Sequence, residues 1–151
     1  HEKLGLDRAD GVETVVEARF KKADKPIRGL ETMEEQLGAF DTLPEAEQRQ
    51  MLKDVVSDTS DARAEFEKLL QAWASGDEAG LVQASQGGMM DTPRIREAVL
   101  VARNRVWADR LDSILKKGER PFVAVGAGHL VGPDNVREFL AAKGYKVVRV
   151  Q

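Results

Sequence analysis

The chain has 151 residues, 42% of them hydrophobic and 32% charged, a balance that excludes a disordered polymer and suits one soluble globular domain with its own core. With 23 basic residues against 26 acidic and a formal net charge of -3, no basic surplus points to nucleic acid or an anionic membrane. There is no cysteine, which excludes disulfides, thiolate metal sites and cysteine nucleophiles, and no apolar run approaches the roughly 18 residues of a membrane span.

The opening "HEKLGLDRAD" has no starting Met and no signal-peptide pattern, so the expectation is a processed product from which any targeting segment has been lost. "GVETVVEARFKKADK" (Gly11 to Lys25) places Val12, Val15, Val16 and Phe20 at helical spacing. "PIRGLE" (Pro26 to Glu31) is too short for a helix and reads as a strand ending near Leu30. "TMEEQLGAF" starts a helix: Thr32 is the N-cap and Glu35, three residues on, completes a capping box. "LPEAEQRQMLKDVVSD" (Leu43 to Asp58) puts Pro44 at the first helical position, with Leu43, Met51, Leu52, Val55 and Val56 on one face. "DARAEFEKLLQAWASGD" continues the helical pattern through the stripe Phe66, Leu69, Leu70 and Trp73, and Gly76 ends it.

"GDEAGLVQASQGG" is a weak short helix. The strongest helix lies in "MMDTPRIREAVLVARNRVWADRLDSILKKG", capped by Asp91 or Thr92, opened by Pro93 and closed by Gly118. Ile95, Val99, Val106, Leu111, Ile114 and Leu115 are its apolar residues, and Met89, Met90 and both tryptophans read as core. "PFVAVG" (Pro121 to Gly126) is an unbroken apolar run, the pattern of a strand buried on both faces. "GPDNVREFLAAKG" is a helix opened by Pro133 and closed by Gly144, and "YKVVRV" is a last, alternating strand. The tail, residues 119–151, is therefore expected to be a right-handed βαβ unit with parallel strands. Residues 32–118 form a helical cap. The expected fold is α/β: a small, mostly parallel sheet in a single domain whose first strands are missing.

The chemistry concentrates in "VAVGAGHLVGPDNV". Of two histidines in the chain, the only internal one, His129, leaves a strand end between glycines. Ligands bind beyond the carboxyl ends of parallel strands, and Gly126 and Gly128 allow a sharp turn and the close approach of a ligand. A neutral imidazole there can bind a metal or move a proton near pH 7. The plainer alternative is a histidine that caps or packs an αβ turn. A phosphate loop is disfavoured, because the segment after the next strand, "VVRVQ", has no acid for a ribose.

Two more residues are placed to join His129. Glu31 sits at the end of "RGLE", where a carboxylate can ligate a metal, act as a base or cap the following helix. Arg103, beside Asn104 in the longest helix, lies near enough to the apolar face to point inward and clamp an oxyanion or carboxylate. The alternative for Arg103 is a solvated side chain paired with Asp109 or Glu97.

The ordered strings "GLETMEEQL", "RNRVWADRL" and "VAVGAGHLVGPDNVREFLAAKGYKVVRV" resemble the TraB/GumN family, relatives of the TIKI proteins, from about Gly5 to the C-terminus. The resemblance implies a metal-dependent peptidase or hydrolase in which a GxxH motif occurs twice, with a glutamate and an arginine. Carried over, the second motif is Gly126, Ala127, Gly128 and His129, the glutamate Glu31 and the arginine Arg103. His129 and Glu31 are then the catalytic and metal-binding residues. Arg103 is catalytic, and Gly126, Gly128 and Asn104 contact substrate. The implied cofactor is a divalent ion such as Zn, Mn or Co, and the implied substrate a peptide or small molecule. The first GxxH has no counterpart in this sequence, which agrees with missing first strands and implies that the chain alone is inactive. The alternative function is a non-catalytic binding protein of the envelope or of polysaccharide export, which also implies a periplasmic or envelope location. An unpaired sheet edge further implies a homodimer or association with the absent half.

Overall fold

The computed structural model describes residues 11–56, 62–85 and 88–150; His1 and the rest of the opening segment lie outside the described residues. These fall into two compact units, divided after Leu30. The first contains helix α1 (Val12–Lys22), with Glu13 in its first turn and Arg19, Lys21 and Lys22 in its last, as the helix dipole favours. Lys21 pairs with Glu17 one turn back at 2.9 Å, and the Lys25 ammonium lies 5.6 Å from the centre of the Phe20 ring. Residues 26–30 form no strand.

The second unit is helical. Helices α2 (Met33–Asp41), α3 (Glu45–Val56), α4 (Ala62–Ser75) and α5 (Glu78–Ser85) are followed by a 3-10 turn (Gly88–Asp91). Helix α6 (Pro93–Arg96) then runs through a π-helical turn (Glu97–Val101) into α7 (Ala102–Lys116), and α8 (Val136–Ala142) comes last. The capping box at α2 forms as its spacing predicts: the Glu35 amide donates to Thr32 Oγ1 at 3.2 Å, and the Thr32 amide donates to Glu35 Oε2 at 2.8 Å. Pro44 stands one residue before α3 rather than within it, its carbonyl accepting the first helical bonds.

Helix α8 also starts later than Pro133 suggests. Asn135 is the N-cap, its Oδ1 accepting from the Glu138 amide at 3.0 Å, and Pro133 and Asp134 belong to the preceding turn. Gly118 and Gly144 follow their helices at φ +79° and +92°, backbone that side-chain-bearing residues rarely adopt.

Two small cores hold the second unit. One joins Leu43, Ile95 and Val99, with Met51 and Met90 against them; the other joins Ala72, Leu81 and Val131, with Leu69, Val82 and Ala127. Ile95 is 1% exposed, a burial that contributes roughly 1.5–3 kcal/mol. Helix α7 buries Asn104, Trp107, Ala108 and Leu111 and packs on α8, whose Val136 is buried. The π turn inserts one residue into the helical register. Beyond it the buried face therefore falls on Trp107 and Ala108, while Val106, which an uninterrupted helix would carry on the apolar stripe, is 45% exposed. Trp73 is likewise outside the core at 52% exposed.

The expected α/β fold is not found. The described residues contain no strand, so there is no parallel sheet and no βαβ unit in 119–151. A strand is defined by ladder hydrogen bonds to a neighbour, and among the described residues neither 121–126 nor 145–150 forms a strand. Phe122, Val123, Val147, Val148 and Val150 are all exposed, so the unbroken run "PFVAVG" is not a buried strand. Among the described residues no helix is long and apolar enough to cross a membrane.

Candidate functional site: a histidine, an asparagine and an arginine–glutamate pair

The site lies within the second unit, where the start of α2, the first turns of α7 and the Gly126–Asn135 segment meet. Glu31 immediately precedes the α2 N-cap. The capping box fixes that turn, and Arg110 of α7 clamps Glu35 through both carboxylate oxygens, tying the start of α2 to α7. Glu31 is thereby held against α7. Arg103 donates to it in a fork, Nε to Oε2 at 3.0 Å and Nη2 to Oε1 at 2.6 Å, and Trp107 Nε1 donates to Oε2 at 3.1 Å. The pair is mostly buried, with 19% and 15% of the arginine and glutamate side chains exposed. Burial opposes ionisation of Glu31, but the Arg103 hydrogen bonds and charge and the Trp107 N–H outweigh it and hold the carboxyl below the usual range.

The π turn supplies the third contact of Arg103, whose Nη1 donates to the Val99 carbonyl at 2.7 Å. Three N–H groups of the guanidinium are used in these bonds, out of the five that an arginine carries.

His129 ends a 3-10 turn, Ala127–His129, closed by its own amide donating to the Gly126 carbonyl at 2.9 Å. Its Nδ1 lies 2.6 Å from Asn104 Oδ1. Asn104 is fully buried, and its Nδ2 donates to the Asp134 carbonyl at 2.8 Å. That second bond settles which end of the amide faces the imidazole. Since Oδ1 only accepts, Nδ1 of His129 carries the proton, and the lone pair is on Nε2. Asp134 presents its carbonyl from a left-handed conformation, φ 60°. It is held there by Arg96, which donates Nη1 to Asp134 Oδ2 at 2.9 Å and Nη2 to the Pro133 carbonyl at 2.8 Å.

Trp107 joins the two halves of the site. Its ring centre is 4.4 Å from that of His129, with the planes tilted by 38°, and the Arg103 guanidinium lies 5.0 Å from the ring. Burial first, and the Arg103 charge second, lower the His129 pKa to about 4, against a smaller upward pull from Glu31. At pH 7 the imidazole is neutral.

The structure thus brings Glu31, Arg103, Asn104 and His129 together in one unit. Neither Gly126 nor Gly128 has a positive φ, so the turn does not need glycine for its backbone; a Cβ on Gly126 would meet only the His129 ring, at 3.9 Å, and one on Gly128 would meet nothing. Trp107, Asp134 and Arg96 belong to the site although the sequence marks them less plainly. Trp107 stands four residues after Arg103, on the same helix face, and that spacing is the available signal. Asp134 and Arg96 act through a carbonyl and a turn, for which residue type gives no cue.

A metal of the zinc type takes three protein donors and leaves one position open. Among the described residues no group of three or more His, Asp or Glu could hold a metal ion. Both oxygens of Glu31 are bound to Arg103 and Trp107, which leaves the Nε2 lone pair of His129 as the donor that these hydrogen bonds do not occupy. The residues described do not by themselves fit a metal centre.

A helical unit carrying a neutral histidine beside an arginine–carboxylate pair defines the class of site. The family model described as the TraB/PrgY/gumN family matches residues 1–149, and the chain belongs to that family. No curated protein and no solved structure matches the chain.

Proposed function

We propose that this site is hydrolytic, of the peptidase-like kind expected of a TraB-type domain. The observation that carries the reading is the state of His129: neutral, tied through Nδ1–H to a buried asparagine, with no hydrogen bond to Nε2 among the described residues and the Arg103 charge close enough to lower its pKa. Nε2 takes a proton from the attacking water as its oxygen bonds to the substrate carbonyl, and the resulting imidazolium returns that proton to the leaving group. Arg103, aligned by Glu31 and the Val99 carbonyl, donates a remaining N–H to the oxyanion that forms. Trp107 covers both groups and limits water. A divalent metal would need Glu31 to leave Arg103 and further donors beyond those described.

The test is hydrolysis of a peptide and ester panel read by mass spectrometry, with and without added Mn²⁺, Co²⁺ or Zn²⁺, for the chain and for His129→Ala. A proton-transfer role predicts a loss of about 10²- to 10⁴-fold on removing His129. Equal turnover by both proteins would overturn it.

A second reading is a non-catalytic binding site at the cell envelope. The saturation of both Glu31 oxygens favours it, because a carboxylate so held supports a fixed pocket rather than a mobile base. Ligand retention with no turnover under any metal would select it.

A further inference from the structure

The orientation of the Asn104 amide hangs on one turn. Asp134, whose carbonyl accepts from Asn104 Nδ2 at 2.8 Å, stands at φ 60°, close behind Gly132 at φ 71°. Glycine adopts such a conformation freely, and an aspartate adopts it at a cost. Two contacts brace the turn from within itself and from α8. The Asp134 amide donates to Glu138 Oε2 at 2.9 Å, and Asn135 Nδ2 donates to the Gly132 carbonyl at 2.6 Å. A further brace comes from elsewhere in the fold: Arg96, the last residue of α6, grips the Pro133 carbonyl and the Asp134 carboxylate with the two ends of its guanidinium. Its neighbour Ile95, 1% exposed, anchors that helix in the core, so the clamp has a fixed base.

Asn104 can meet His129 in two ways. With Oδ1 towards the ring, as found, Nδ1 carries the proton and Nε2 the lone pair. With the amide reversed, Nδ2 donates to a bare Nδ1, and by exchange with water the ring proton sits on Nε2, which then cannot accept one. Reversal also turns Oδ1 against the Asp134 carbonyl, oxygen against oxygen. That carbonyl excludes the reversed state for as long as the turn keeps it in place.

We infer that Arg96 is a positioning residue for His129: it holds the 132–135 turn so that the Asp134 carbonyl selects one orientation of Asn104 and, through it, the tautomer of the imidazole. The influence passes through Asp134 and Asn104 to the ring. The Arg96 and Asp134 side chains are 29% and 46% exposed, so the control point is open to solvent while Asn104 is fully buried. The consequence for turnover rests on the hydrolytic reading; the tautomer does not.

The test is long-range nitrogen–proton correlation NMR at pH 7 on protein carrying isotope-labelled histidine, with His129→Gln separating the His129 signals from those of His1. Arg96→Met removes both donations and keeps the aliphatic stem. Asp134→Ala removes the carboxylate and disfavours the left-handed backbone. Both positions are part-exposed, so neither substitution empties the core. In each variant the excess of the Nδ1–H tautomer should fall on the order of tenfold, as for the loss of one net hydrogen bond. Arg96→Lys, which reaches one acceptor but not both, should fall between. Arg94→Met, on the same helix with its side chain 72% exposed, should leave the tautomer as it is. Thermal melts run alongside. An unchanged tautomer in both Arg96→Met and Asp134→Ala overturns the assignment, however far either variant is destabilised, and so does an equal change in Arg94→Met. The same proteins are assayed on the peptide and ester panel. A tautomer that moves in the variants, with no turnover by the unsubstituted chain under any metal, sinks the hydrolytic reading and leaves Arg96 its role. Turnover by the unsubstituted chain, with the tautomer unmoved in both variants, does the reverse.

Discussion

Asn104 and His129 are joined by a single hydrogen bond of 2.6 Å whose direction is decided elsewhere, by the Asp134 carbonyl that accepts from the other end of the same amide. A buried asparagine with both ends engaged leaves the histidine one tautomer. The chemistry attributed to the site depends on that restriction.

Replacing Asn104 should therefore disturb both stability and titration. Asn104→Ala leaves the Asp134 carbonyl and the His129 N–H without partners, at a cost of about 1–3 kcal/mol in urea denaturation. Asn104→Asp places a carboxylate against the imidazole and should raise the His129 pKa well above its present value of about 4, as read by proton NMR of the ring.

The depressed pKa of His129 also fixes the sign of a pH effect. The folded protein binds the imidazole proton only below about pH 4, whereas an unfolded histidine binds it below its ordinary 6.5. Between those values the unfolded state holds more protons. Stability is thus fully present above pH 6.5 and falls as pH is lowered towards 4. Thermal melts across that window should show the decline, and His129→Gln should flatten it.

The arginine–glutamate pair should behave as a coupled unit. Arg103→Ala strands a mostly buried carboxylate and is expected to cost about 2–3 kcal/mol, below the range for fully buried pairs. Glu31→Gln combined with Arg103→Ala should recover part of that loss, and chemical denaturation of the full double-mutant cycle measures the coupling. Arg103→Lys loses the fork and should rescue little.

Trp107 has two separable roles. Trp107→Phe keeps an aromatic ring near His129 but removes the N–H donated to Glu31 and part of the buried ring, for a loss of about 1.5–3 kcal/mol from the charge-assisted bond plus a packing cost. Trp107→Ala also opens a cavity and should cost about 3–5 kcal/mol. Equal losses in the two variants would show that the hydrogen bond matters and the ring does not.

Helix positions were readable because their signals are local. Thr32 and Glu35 sit three apart and cap each other; Gly118 and Gly144 follow their helices at the positive φ that glycine accepts. The sheet was misread for the opposite reason. Strand formation depends on pairing with another segment, which an apolar run does not itself reveal, and 121–126 and 145–150 are not strand among the described residues. The placement of Val106 failed on one inserted residue, the π turn, which periodicity cannot register. Within the site, Glu31, Arg103, Asn104 and His129 stand out by residue type. Trp107 looked like core and is core, but its N–H also serves the carboxylate.

The most direct test is the tautomer itself. Long-range nitrogen–proton correlation NMR of the labelled imidazole at pH 7 distinguishes a protonated ring nitrogen from one carrying a lone pair. The prediction is a proton on Nδ1 of His129 and a bare Nε2, with the tautomer preference lost in Asn104→Ala. An Nε2–H tautomer, or an imidazolium at pH 7, would contradict the account.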